Sequence, residues 1–563
     1  MPSLIHHVRR HADKWVSIFV GTTVFLVLVG PQTLWPASTT WLRWGDSAQH
    51  YYGWEFFRRS PLLQFPLGNS PRFGVGYSSS IVYTDSIPLL AIPLKYLTFW
   101  FDADFQYFGL WLLFCFIAQH YFAQLILIRL GVSRLLATVS AVFLLVSPVF
   151  LFRQTIGGYG HFALVGHFLI LAAIALALES RYAKQKWLGL AIVALLVQFY
   201  LFAMVVVIWL MQVIGHAMRA KLERRTLVLG SLQGVVAIIL VMWMSGYFSS
   251  GNSEEEGYGI FRADLATFVD PMTYSITPWS RLLPDQPVQT ANTDGTFEGF
   301  AFLGLGILFA IPIVIISLAT VRRRLSPLGS LQLLASRLIW LLAACLICFV
   351  FSLSNRVTFR TEVLVLKVPA PFEIVTNSLR TSGRFVWPLA YLITLMALVL
   401  VAGSLSKRGS LLLVAALLGT QLLDSRNALT EHRERFTEYQ YPRSLLASSD
   451  WDHLAHGRKL LIVNPPPSKD VWQDFAEFAL NNEMSTNVAY LSRVNYEKVA
   501  TVVESQTESL RNLALESTVL YVVTSRSGAY ETLMERMKAN SGELSPGLDA
   551  RLIDGMLAIV VKL

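Results

Sequence analysis

Long apolar runs, separated by short basic loops, fill the first three quarters of the chain. A helix needs about 20 apolar residues to cross a bilayer core, and on that measure the pattern predicts about eleven spans. They fall at residues 15–35, 106–129, 135–152, 162–179, 187–199, 201–217, 227–247, 299–320, 337–353, 385–404 and 410–424. This threading puts the basic clusters on one side. They are Arg9/Arg10/Lys14, Arg129/Arg134, Arg181/Lys184/Lys186, Arg219/Lys221/Arg224/Arg225, Arg322/Arg323/Arg324/Arg337 and Lys407/Arg408. The positive-inside rule makes that side cytoplasmic, with the N-terminus there too. The stretch from Trp187 to Met218 is too long for one crossing, yet basic residues flank it at both ends. It reads as a hairpin of two short helices meeting near Gln198-Phe199-Tyr200. Ile87 to Trp100 is apolar but short, and holds Pro88, Pro93 and Lys95. It reads as a re-entrant or interfacial helix on the outer side.

The outer segments are the long ones: 36–105, 153–161, 248–298 and 354–384, with the tail 425–563 also outside. Residues 1–424 thus form a transmembrane domain. In the tail the pattern changes. Short apolar runs at 459–463, 488–491 and 518–524 alternate with helix-like segments at 471–481, 496–513 and 530–538. A closing pair, 551–554 and 556–562, turns at Asp554-Gly555, a strong hairpin signal. The expected fold is a polytopic α-helical membrane protein with a small C-terminal α/β domain outside the cytoplasm.

Composition narrows the class. Of 563 residues, 54% are hydrophobic and 15% charged, against about 25% charged in soluble domains. The net charge of +9 is spread through loops and not gathered on one soluble face, so it points to topology and not to nucleic acid. The three cysteines, Cys115, Cys345 and Cys348, sit inside apolar runs and read as packing. The basic start runs into an apolar stretch too long for a cleavable signal.

Four outer constellations carry candidate chemistry. Just past the first span comes Gly45-Asp46-Ser47-Ala48-Gln49-His50-Tyr51-Tyr52, and the same loop ends at Tyr83-Thr84-Asp85-Ser86-Ile87-Pro88. Asp46 and Asp85 therefore stand at the two ends of one outer loop. Each also suits a helix N-cap, a role compatible with chemistry. Arg153, a glycine-rich turn and His161 come at the outer end of another span, where an Arg, a His and backbone amides can cradle a phosphate. Arg380 and Arg384, four apart before a late span, would share one helix face and meet an anion, or else anchor the helix at the interface. Glu298, at the mouth of a span, reads more simply as a cap or an exposed acid.

The order of these features resembles the GT-C superfamily of integral-membrane glycosyltransferases, across residues 1 to 424. It consists of an acid just after the first span, an interfacial helix, many spans, an outer Arg before a late span and an outer C-terminal domain. The patterns Gly45-Asp46, Ser80-Ile81-Val82-Tyr83-Thr84-Asp85-Ser86-Ile87-Pro88-Leu89 and Ser382-Gly383-Arg384-Phe385 are shared with a group of uncharacterised bacterial multi-pass proteins. The resemblance implies a sugar passed, with inversion, from a polyprenyl-phosphate donor to an extracytoplasmic glycan or glycolipid of the cell envelope, at a bacterial inner membrane. It assigns Asp46 as general base. Asp85, Tyr83, His50, His161, Arg153, Arg380, Arg384 and Glu298 are then candidate substrate-binding residues. Asp46 has no adjacent second acid, which leaves metal use open: a divalent metal is compatible with the site but not indicated, and no cofactor is assigned. Two rival classes stand beside this: a transporter or flippase for lipid-linked glycans, and a non-catalytic envelope assembly protein.

Overall fold

A segment that is apolar on every side can keep its backbone groups paired away from water by coiling into a helix. Most of this chain does so in the computed structural model, which describes residues 2–77, 79–155, 160–179, 181–219, 224–249, 257–271, 277–284, 295–321, 328–438, 444–467 and 471–562. The chain divides into two units. One comprises Met1–Pro36, Tyr107–Ile238 and Glu255–Tyr439; the other comprises Ala37–Gln106, Ile239–Glu254 and Gln440–Leu563.

Among the described residues three helices are long and apolar enough to cross a membrane: Phe108–Arg129, Phe199–Met218 and Ser382–Ser404. A bent pair, Arg134–Leu145 and Pro148–Gln154, makes a fourth candidate with a 43° angle. The apolar pattern runs one span through 135–152, but Pro148 lacks the N–H a continuous helix requires, and the helix breaks ahead of it. These, and not eleven, meet the length and apolarity of a span, in part because such breaks divide the runs into shorter helices. Gln198 is another break. Its extended backbone (φ −163°, ψ 132°) separates Lys184–Val197 from Phe199–Arg219, and the two helices pack against each other. Elsewhere in the first unit, helices Pro2–Leu28 and Phe108–Arg129 pack closely. A Cβ at Gly21 would stand 2.7 Å from the Ile117 Cα, so only glycine allows that approach. Strands β1 (Arg356–Phe359) and β2 (Glu362–Val365) form a small antiparallel hairpin.

The second unit is built on a five-stranded sheet: β3 (Leu460–Asn464), β4 (Ser485–Thr486), β5 (Val519–Val523), β6 (Leu548–Ile553) and β7 (Met556–Val561), in the order β4-β3-β5-β7-β6. β4, β3 and β5 run parallel; β7 and β6 are antiparallel. Every residue of β5 is buried, as a central strand requires. Asp554 and Gly555 both have positive φ (49° and 78°) and close the β6–β7 hairpin as the sequence predicts. Residues 488–491 are not a strand. β4 ends at Thr486, and Tyr490 stacks on Trp472 at 5.9 Å instead.

The segment 37–106 belongs to this unit as a folded part of it. Its helix Gly45–Arg58 is buried along nearly its whole length. The Thr486 N–H donates to the Arg72 carbonyl (3.0 Å), and the Val75 N–H donates to the Thr486 carbonyl (2.9 Å). Arg43 pairs with Glu477, and Tyr52 meets the edge of Trp472. Glu55 and Arg58, both buried, pair at 2.6 Å. Arg58 also donates to the carbonyls of Phe101 and Ala103, which fixes the returning end of the loop. Burial pushes the Glu55 carboxyl above its ordinary range, and Arg58 and Arg59 pull against that. The helix Pro88–Thr98 follows, with Pro88 in its first turn and Lys95 buried.

Candidate functional site

The candidate residues fall into two groups, one in each unit. In the second unit Asp46 lies in the first turn of Gly45–Arg58, where the helix dipole favours an acid. It is not the N-cap: Trp44 holds that position, with no side-chain cap. Nor does Asp85 cap the helix that follows. Ile87 takes that place, in the left-handed region (φ 54°). Asp85 is left-handed as well (φ 53°). Two non-glycine residues in that region within three positions store strain that only the surroundings can hold.

The surroundings are explicit. The Thr84 carbonyl lies 2.9 Å from His50 Nδ1, and because a carbonyl only accepts, that nitrogen carries the proton. The Ser86 hydroxyl donates to the His50 carbonyl (2.7 Å), and Gln49 Nε2 donates to the Tyr83 carbonyl (3.0 Å). Gly53 lets the loop settle on the helix, since a Cβ there would come within 2.3 Å of Thr84 Cβ. The Tyr83 hydroxyl donates to the Tyr247 carbonyl (2.7 Å). Asp46 and His50, four residues apart, share one helix face, and 83–86 is docked on the turn that carries His50. Asp46 and Asp85 are half-buried while Ser47 to His50, Tyr83, Thr84 and Ser86 are buried, so both carboxylates keep contact with solvent. Tyr247 and Arg493, which sequence reasoning passed over, join this corner. The Ser492 N–H donates to the Tyr83 carbonyl (2.7 Å), which sets Arg493 beside it. No local signal marks Arg493; only the fold of 440–563 onto 37–106 brings it there.

In the first unit, Arg153, Glu298 and Arg384 form one buried cluster. Arg153 Nη1 meets Glu298 Oε2 at 2.7 Å, and Nη2 donates to the Glu298 backbone carbonyl at 2.7 Å. Arg384 grips the same carboxylate in a fork, Nε to Oε2 and Nη2 to Oε1, each 2.9 Å. Glu298 is therefore neither a cap nor an exposed acid. Burial pushes its carboxyl up, but the two guanidiniums together hold it well below the usual carboxylate range. Arg384 also lies 4.6 Å over the Tyr200 ring and Arg153 5.0 Å over Trp387. The cluster carries two positive charges against one negative. His161 adjoins it through its backbone N–H, which donates to the Arg153 carbonyl (2.9 Å). The glycine-rich turn between them, residues 156–159, lies outside the described residues.

Arg380 departs from expectation. The spacing to Arg384 implies one helix face, but residues 379–381 are not helical and the 3-10 turn begins at Ser382. The Gly383 N–H donates to the Phe261 carbonyl (2.9 Å), and Gly383 packs against the Gly299 backbone, so the chain is pinned there before a regular helix can start. Arg384 turns inward to Glu298; Arg380 stays half-buried against Gly257. Among the described residues no three His, Cys, Asp or Glu side chains gather as a metal site.

No curated protein matches the sequence. A family described as a domain of unknown function, DUF6311, matches residues 18–426, and the DUF6311 C-terminal domain matches residues 450–560. With most of its length covered by the two in that order, the chain belongs to the DUF6311 family.

Proposed function

We propose that the protein is an integral-membrane glycosyltransferase of the GT-C kind. It takes a sugar from a polyprenyl-phosphate donor and passes it to an envelope glycan outside the cytoplasm. On this reading the chain crosses the bacterial inner membrane about eleven times, with its N-terminus inside and both the first loop and the C-terminal domain outside. The observation that carries the reading is the acidic corner of the first loop. Asp46 keeps solvent contact on an otherwise buried helix, and the left-handed Asp85 is fastened against the same helix through His50 and Gln49.

The chemistry is a single displacement. Asp46 takes the proton from an acceptor hydroxyl, the freed oxygen forms its bond to the anomeric carbon, and the bond to the phosphate oxygen breaks with its electron pair. The donor phosphate leaves as an anion, so no general acid is required, but positive charge lowers the barrier.

Asp46→Asn tests the proposal. Turnover should fall by about two to four orders of magnitude, while binding of a polyprenyl phosphate and the unfolding midpoint stay as in the native protein. A mutant with near-native transfer, or one that loses lipid binding equally, removes Asp46 as the base. A flippase would keep its glycan movement in that mutant.

A further inference from the structure

In an antiparallel hairpin packed on one face, side chains alternate between cover and solvent. The β1–β2 hairpin does not alternate. Leu364 and Val365 point to opposite faces of β2, yet they are 60% and 63% exposed. Phe359 and Leu366 are exposed beside them. The apolar surface continues past the hairpin through Phe372, Ile374 and Val375, with Ile374 78% exposed. Residues 359–375 therefore form an arm with bare apolar side chains on both faces, a surface that water disfavours. The arm is nonetheless held in place. The Leu265 N–H donates to the Thr358 carbonyl and the Arg360 N–H to the Asp264 carboxylate, each at 2.9 Å. The Leu366 N–H donates to the Asn355 carbonyl at 2.7 Å. Among the described residues β2 pairs with β1 alone, so its other edge is open.

The helix that leads into the arm says what covers it. Along the last turns of Leu328–Ser352, the residues Ile339, Leu342, Leu346 and Val350 form one exposed apolar stripe. On the membrane reading Arg337 stands at the cytoplasmic headgroups and this stripe faces lipid. From Arg337 to Ser352 the helix rises only about 24 Å, short of a hydrocarbon core of about 30 Å. The stripe stops before the outer headgroups, and the bare arm follows it directly. Charge on the arm is balanced, Arg360 and Lys367 against Glu362 and Glu373, so it selects no charged partner. A second copy paired along the open edge of β2 would leave both faces of the hairpin bare. We infer that residues 359–375 lie in the outer interface of the bilayer, with their apolar side chains against acyl chains and their four charged groups at the headgroups. The open edge of β2 keeps the arm from sinking further, since hydrocarbon cannot satisfy its backbone groups. This inference rests on the membrane placement within the proposed function and not on the role of Asp46.

The test reads the surroundings of nitroxide labels on the full-length protein in phosphatidylcholine vesicles. Leu364→Cys and Ile374→Cys label the arm, Leu346→Cys labels the helix stripe, and Glu531→Cys labels an exposed position of the C-terminal domain. The native cysteines, Cys115, Cys345 and Cys348, are buried and stay in place, with the native protein as the labelling blank. Oxygen concentrates in lipid and a nickel chelate in water, so their relative collision rates report which one surrounds a label. Both arm labels should favour oxygen, less strongly than the Leu346 label, and adding anionic lipid should not move the ratio. The Glu531 label should favour nickel. Nickel preference at either arm position, with oxygen preference at Leu346, overturns the arm assignment alone. Anything but oxygen preference at Leu346 overturns the membrane placement itself. Arm labels shielded from both reagents, or spin–spin broadening that disappears on dilution with unlabelled protein, mean that protein covers the arm and also overturn the assignment.

Discussion

Replacing Glu298 with glutamine isolates what its charge does. The substitution keeps the shape and removes the negative charge from between Arg153 and Arg384. Three charge-assisted contacts depend on that charge: one from Arg153 Nη1 and two from the Arg384 fork. The bond from Arg153 Nη2 to the Glu298 backbone carbonyl survives. A buried pair that loses one partner costs about 3–5 kcal/mol, because the remaining charge stays buried and uncompensated. Here two guanidiniums are left, each with an aromatic face for partial relief, so the same range is expected and not its double. Arg384→Gln leaves a one-to-one Arg153–Glu298 pair and should cost less. Denaturant or thermal unfolding of the detergent-solubilised protein reads both. The pH dependence has a fixed sign. The Glu298 carboxyl is lowered in the native state, so its contribution is fully present above the ordinary carboxylate value of about 4.3. It is lost as pH falls toward the lowered value. Glu298→Gln should lack that acid-side loss. An unfolding free energy for Glu298→Gln within about 1 kcal/mol of native, or below the cost of Arg384→Gln, would refute the view that the carboxylate holds the cluster together.

Other outcomes follow from single contacts. Gly53→Ala drives a Cβ into Thr84 and should destabilise by about 1–3 kcal/mol, with faster hydrogen exchange concentrated at residues 81–87; uniform exchange would argue against the docking. Lys95 is buried, donates to the Pro61 carbonyl at 2.8 Å, and has its ammonium pushed down to about 8 by burial. Its unfolded form binds the extra proton between that value and about 10.4, so stability should rise with pH across this window. Lys95→Met should flatten that rise, and an unchanged slope would show that another group is responsible. A phosphatase reporter fused after residue 562 should be active only if the C-terminal domain lies outside; a cytoplasmic readout would remove one span from the proposed threading.

The α/β tail was legible because its signals are local. Apolar runs of strand length gave β3 and β5, and Asp554-Gly555 gave the last hairpin. The break at Gln198 was legible from the length of the run and its basic flanks. The bend at Pro148 was also visible in composition, yet the apolar run on both sides of it outweighed it. Asp46, Asp85 and the two inward arginines could be nominated, since an acid or Arg beside an apolar run stands out. Their partners could not. Glu298 looked like an isolated acid because Arg153 and Arg384 are 145 and 86 residues away. Arg380 was misjudged because the spacing rule presumes a helix, and the Gly299–Gly383 contact prevents one. Arg493 and Tyr247 carried no signal, since their placement depends on pairing between distant parts of the chain.

The interleaving of residues 37–106 with 440–563 bears on the order of assembly. The first loop leaves the ribosome long before the strands against which it packs. Tyr52 and Phe73, buried in the finished unit and packed there against Trp472, must wait without that partner while the intervening segments are made. Contacts this far apart in sequence form late and leave apolar surface open to misassociation. A chain cut before residue 440 would therefore present an unfinished first loop, and should be cleared by proteases rather than accumulate as a smaller working protein.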